Sequence, residues 1–163
     1  MASHLAIKDR KSGYGMATCL DTKTSEYAVA NVINFLRETG YKRLVLKSDQ
    51  EPSILKLKTR VTQGLEDIEI VPKESVEYDP RSNGAAEQYV NECKGRIRVL
   101  KTSTEDRLGR RLKADHPLLA WMPIYAVQMA NRFLIREDGM TSVHRLTGRR
   151  WGRPVLRYWE RVR

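Results

Sequence analysis

A chain of 163 residues, 40% hydrophobic and 31% charged, is long enough to bury one core and polar enough to be globular. It has no apolar run of the ~18 residues a membrane span needs, and its N-terminal stretch lacks the apolar centre of a signal peptide, so an intracellular protein, in nucleus or cytoplasm, is expected, with no membrane partner. Two distant cysteines and three scattered histidines exclude a disulfide framework and a Cys-pair zinc site; the formal charge of +10 points to an anionic partner, most often nucleic acid.

"HLAIKD" and "YGMATCL" predict two short strands around the turn "RKSG". Residues 24–39 predict a helix, with Thr24 or Ser25 as N-cap and Gly40 as the stop. "YKRLVLKSD" predicts a buried strand ending at Asp49, and "EPSILKLKTRVTQGL" a helix with Pro52 in its first turn. "DIEIVP" predicts another strand, stopped by Pro72, and "KESVEYDPRSNG" a loop closed by an Asn-Gly turn. The apolar spacing of "AAEQYVNECKGRIRVLKT" predicts a helix with Glu87 in its first turns. "HPLLAWMPIYAVQMANRFLI" predicts a second, more apolar helix starting at Pro117 and kinked or broken at Pro123, with His116 as a helix cap or a surface residue. The tail from Thr141 is basic and aromatic. This order is α/β: the opening strand pair is expected to be antiparallel, and the later strands, reached through helices, parallel, in a mixed sheet.

Two carboxylates stand out. Asp49 ends an apolar strand, where ligand sites of open α/β sheets gather. Glu87 near a helix start is favoured as the charged form. If folding brings the two to one sheet edge they repel, and a magnesium or manganese ion relieves the repulsion; a turn-capping aspartate and an ordinary helical glutamate account for the same residues. The charge is uneven. Residues 1–93 hold 13 Lys and Arg against 14 Asp and Glu, whereas residues 94–163 hold 17 against 6. Lys94, Arg96, Arg98 and Lys101 begin the basic half and are candidate phosphate contacts. In the tail, arginines alternate with Trp151, Tyr158 and Trp159; the tryptophans are expected to close the core.

"LKSDQEPS" followed by "YDPRSNGAAEQYVNECKGRIR" resembles the catalytic core of retroviral and retrotransposon integrases. Pro80, Asn83, Gly84 and Glu87 match that family's Pro-x-x-Asn-Gly-x-x-Glu pattern, and 37 residues separate Asp49 from Glu87, near the family's gap. Gln50-Glu51 departs from the Asn or Asp with Gly usual after the aspartate. "MTSVHRLTGRR" resembles the segment that closes the core, with Ser142 in place of a proline. The resemblance implies an RNase H-like fold, Mg2+ (or Mn2+) held by Asp49, Glu87 and a first aspartate, DNA (element ends and target) as partner, and a homo-oligomer. It implies DNA integration by a transposable element, through metal-dependent strand transfer. The family's first aspartate lies on a strand ahead of the opening pair, so an N-terminally truncated core, inactive as this fragment, is expected, with residues 1–135 as core and 136–163 as a basic extension packing on or leaving it. Asp9, just ahead of Ser12-Gly13-Tyr14, matches a position that is not a ligand. Two other readings stay open: a non-catalytic basic nucleic-acid-binding module, and an RNase H-like nuclease.

Overall fold

The computed structural model describes residues 3–74 and 80–160. The order of elements is β1 (Ser3–Lys8), β2 (Gly15–Leu20), α1 (Glu26–Glu38), β3 (Arg43–Ser48), α2 (Pro52–Gln63), β4 (Glu69–Glu74), α3 (Pro80–Leu108), α4 (Pro117–Phe133) and α5 (Ser142–Thr147). β1 pairs with β2, and β3 pairs in parallel with β4, Leu44 opposite Ile70 and Leu46 opposite Pro72. The chain divides into two units, Met1–Leu5 with Cys19–Val90, and Ala6–Thr18 with Asn91–Arg163. Residues 136–163 thus share a unit with residues 91–135.

In the first unit, α1 and α2 pack together through their apolar stripes. Val32 and Val61 are almost wholly buried, with Ala28, Phe35, Leu36 and Leu57 around them. Local chemistry sets the helix ends as expected. The Ser25 hydroxyl accepts from the Ala28 amide at 3.2 Å, Pro52 opens α2, and Gly40 adopts φ +71 past the end of α1. Arg60, in the last turn of α2, joins it to the start of α1, donating to the Thr24 carbonyl and the Glu26 carboxylate.

Four details depart from the sequence reading. β3 is not buried: it alternates between exposed and half-buried residues, and Val45 keeps 59% of its surface. β4 runs on through Pro72 to Glu74. Among the described residues β4 pairs only with β3, and a strand bonded on one side tolerates a missing amide hydrogen. α4 runs unbroken through the buried Pro123. Finally, α3 starts at Pro80, so Asn83 and Gly84 are helical and make no turn; residues 75–79 of the expected loop lie outside the described residues.

In the second unit, Leu112, Leu118, Met122 and Tyr158 form a core with Ile97, Leu100, Leu108, Leu119 and Tyr125 against it. The Tyr158 hydroxyl donates to the Leu118 carbonyl, and the Tyr125 hydroxyl to the Leu156 carbonyl at 2.8 Å. Asn131, itself buried, accepts from the Gly15 amide at 3.1 Å and donates to the Gly15 carbonyl at 2.7 Å. The turn between β1 and β2 is held from inside by Asp9, whose carboxylate accepts from the amides of Lys11 and Ser12 and from the Ser12 hydroxyl.

Arg136 donates to the Gly13 carbonyl and to the buried Ser142 hydroxyl. A proline at 142, usual in the resembled family, has no oxygen to offer there. Gly13 has φ +73, and a Cβ on it would stand 2.7 Å from the Arg136 guanidinium. Gly13→Ala is therefore expected to cost about 1–2 kcal/mol from the left-handed backbone alone, plus displacement of Arg136. A thermal melt would show it as a fall of several degrees, roughly 2–8 °C.

Candidate functional site

Asp49 follows the last residue of β3, at the C-terminal end of a parallel strand, and its side chain is exposed. Glu87 is exposed as well and lies in the same unit. Because α3 begins at Pro80, Glu87 sits in the third helical turn, not the first. The helix dipole acts within about one turn, so it does little for this carboxylate. What the longer helix supplies instead is a rigid support for the side chain.

Just past Asp49, Glu51 stands at the N-cap of α2 without capping it. Its carboxylate takes hydrogen bonds from the Lys23 ammonium and the Ser53 hydroxyl. Lys23, then Ser53, hold the Glu51 carboxyl below the usual range. The Gln50-Glu51 departure from the family pattern is thus a local ion pair, which sequence reading missed because Lys23 lies 28 residues away.

The basic residues separate into two sets along α3. At ~100° per residue, Glu87, Lys94, Arg98 and Lys101 fall within about 60° of one another, whereas Arg96 points to the opposite side. Lys94 and Arg98 are exposed. Lys101 stands 3.7 Å from Glu105 and Arg96 3.5 Å from Glu92, each one turn away; Glu92 also meets Lys8 at 3.5 Å. Exposed or half-exposed pairs of this kind contribute at most about 1 kcal/mol, so Lys101 can exchange its partner for a phosphate. Arg96, on the Glu92 side, is the member least suited to join Lys94. Buried Tyr89, Cys93 and Thr104 fix which face of α3 turns inward. Gly95 weakens this helix without a packing reason, since a Cβ there would meet nothing within 4 Å. Gly95→Ala is expected to stabilise the fold by about 1 kcal/mol, read as a rise of about 2–4 °C in the melting temperature.

Asp9 is committed to its turn. Cys19, with its thiol 3.3 Å from His4 Nδ1, has its pKa pushed up by burial, which is the wrong direction for a thiolate nucleophile. His116 caps α4, its Nδ1 accepting from the Leu118 amide at 3.2 Å. The two tryptophans do not close the core: Trp159 keeps 67% of its surface, and Trp151 is half-buried with the Arg132 guanidinium 4.1 Å above its ring.

Asp49 and Glu87 offer hard oxygen donors to solvent, the donor type magnesium and manganese take. Among the described residues no three His, Cys, Asp or Glu side chains converge.

No protein-family model and no characterised protein matches the chain by sequence. The fold does have solved relatives. The chain is similar to the catalytic core domain of BIV integrase, with a TM-score of 0.61 over 90% of this chain and 86% of that one, at 15% identity. At that identity the likeness shows the fold: an α/β arrangement of the retroviral integrase catalytic-core type. No helix among the described residues is long and apolar enough to cross a membrane.

Proposed function

We propose that this chain is the core of an integrase-type polynucleotidyl transferase from a retrotransposon, in which Asp49 and Glu87 hold a divalent cation. The observation that carries the reading is the integrase-core fold with Asp49 at the C-terminal end of a parallel strand and Glu87 exposed in the same unit. When bound, magnesium or manganese supplies Lewis-acid activation of oxygen at a phosphorus centre. The chain's own residues do the rest. Lys94 and Arg98, two and three turns beyond Glu87 on one stripe of α3, bind backbone phosphates and orient the strand, without reading its sequence. Lys101 joins them by leaving Glu105. The DNA partners are the element's ends and its target, and a homo-oligomer presents them together.

The reading calls for a third carboxylate; Asp9, whose carboxylate is bonded within its own turn, does not provide it. The test is a strand-transfer assay in Mn2+ and in Mg2+, with this chain and with a form extended upstream by an aspartate-bearing strand. Joining of DNA ends by the extended form is the expected result. No joining by either form would sink the reading. The basic excess from Lys94 onward, 17 Lys and Arg against 6 Asp and Glu, favours a second reading, a basic nucleic-acid-binding module without catalysis, which binding without joining would support. Cleavage of an RNA–DNA hybrid without joining would indicate a nuclease instead.

A further inference from the structure

The second unit carries aromatic surface that its core does not use. Trp121 on α4 is 61% exposed and Trp159 is 67% exposed. Trp121 lies one helical turn before Tyr125, and Trp159 directly follows Tyr158; the Tyr125 and Tyr158 rings stand 5.0 Å apart. The segment bearing Trp159 is tied down at three points. The Tyr158 hydroxyl donates to the Leu118 carbonyl, Arg107 donates to the Tyr158 carbonyl, and the Tyr125 hydroxyl donates to the Leu156 carbonyl. Trp159 itself has φ +58, alone among the non-glycine residues described. A bulky side chain held in that conformation is strained, and strain of this kind persists where the surroundings impose it. Trp159 is exposed while its neighbour Tyr158 is buried.

Charge identifies the occupant. From Arg149 to Glu160 the segment holds four arginines against one acidic residue, Glu160, whose carboxylate accepts from the Arg157 amide at 2.8 Å. Arg150, Arg153 and Arg157 are exposed, and none forms an ion pair among the described residues. A second copy docked through the same face would bring the same four arginines against it. A purely apolar partner would leave the arginines without counter-charge. A polyanion that also offers flat apolar faces satisfies both features, and single-stranded nucleic acid with its bases unpaired is that ligand. Duplex DNA offers the charge but keeps its base faces stacked.

We propose that Trp159 is a stacking platform for unpaired bases, and that Arg150, Arg153 and Arg157 hold the flanking phosphates. This rests on the nucleic-acid part of the function proposed above and adds to it a preference for unpaired strands, carried by residues other than Asp49 and Glu87.

The test is an equilibrium titration of the full chain with an oligothymidylate and with a duplex of equal length, following tryptophan emission and the anisotropy of labelled DNA. The oligothymidylate is expected to quench the emission. Trp159→Ala should weaken single-strand binding about five- to hundredfold and change duplex binding by no more than about twofold. Trp159→Phe should restore most of the loss, because a phenyl ring still stacks, and both variants should melt with the parent, since the side chain is exposed. Three results would overturn the proposal: no quenching by the single strand, equal loss on both DNAs, or quenching by polyglutamate as strong as by the oligonucleotide, which would assign the face to an acidic protein partner. None of these depends on catalysis. Failure of the strand-transfer assay would sink the enzymatic reading and leave this measurement standing.

Discussion

Glu87→Gln is expected to lower the chain's Mn2+ affinity by at least about tenfold and, in the upstream-extended form, to reduce strand transfer by at least about a hundredfold. The substitution keeps the size and shape of the side chain and removes one negative charge. Glu87 is exposed on the third turn of α3, and a surface exchange of this kind changes stability by no more than about 0.5 kcal/mol. The loss therefore reports the charge and not the fold. Asp49→Asn should do the same, because it removes the other hard ligand. If both carboxylates hold one ion, the two changes will not add: the double variant should bind Mn2+ about as weakly as either single one. Electron paramagnetic resonance of free Mn2+ reads the affinity directly, and a melt of each variant serves as control. Unchanged Mn2+ affinity in both single variants would remove the metal from the mechanism.

The sequence was informative where short-range chemistry decides. Ser25, Pro52, Gly40 and His116 sit at the helix ends that their capping chemistry predicts, and β3 and β4 run parallel because α2 connects them. It misled where one local signal competes with a longer-range one. Asn83-Gly84 is a strong turn pair, yet α3 carries it as helix, since Pro80 is well suited to open a helix and the helix continues for 29 residues. Leu44, Val45 and Leu46 look like a strand covered on both faces. The observed strand is covered on one, because burial depends on which elements pack against it, and that is not written in six residues. The tryptophans misled for the same reason. Their size argued for the core, but Tyr158, Leu118 and Met122 fill it.

The candidate site was legible only in part. Asp49 and Glu87 were found from strand-end and helix context and from the resemblance. Helical spacing by itself sets Arg96 opposite Glu87, but which face of the helix turns inward is shown only by buried Tyr89, Cys93 and Thr104. The roles of Lys23, Asp9, Arg136 and Ser142 were hidden for a simpler reason. Lys23 meets Glu51 and Arg136 meets Gly13 across 28 and 123 residues, and no local pattern announces such a partner.

Asn131 is the clearest case of a polar residue that the fold cannot spare. Its amide is buried and answers both backbone groups of Gly15 across 116 residues, so it fixes the start of β2 to α4. Asn131→Ala removes both partners at once. A buried amide hydrogen and a buried carbonyl would then each lack a bond, at about 1–3 kcal/mol apiece, and the vacated space adds to the loss. Relaxation or an entering water recovers some of this, so a net cost of about 2–4 kcal/mol is expected, read as a fall of about 4–16 °C in the melting temperature. Asn131→Asp separates the two bonds. The carboxylate still accepts from the Gly15 amide, but it cannot donate to the Gly15 carbonyl and would face it with like polarity while ionised. Its destabilisation should therefore exceed that of a single lost bond at neutral pH and shrink as the pH falls, when a protonated carboxyl regains a donor. Stability of the aspartate variant that is independent of pH, or an alanine variant that melts with the parent, would show that the Asn131 amide is not what holds β2 to α4.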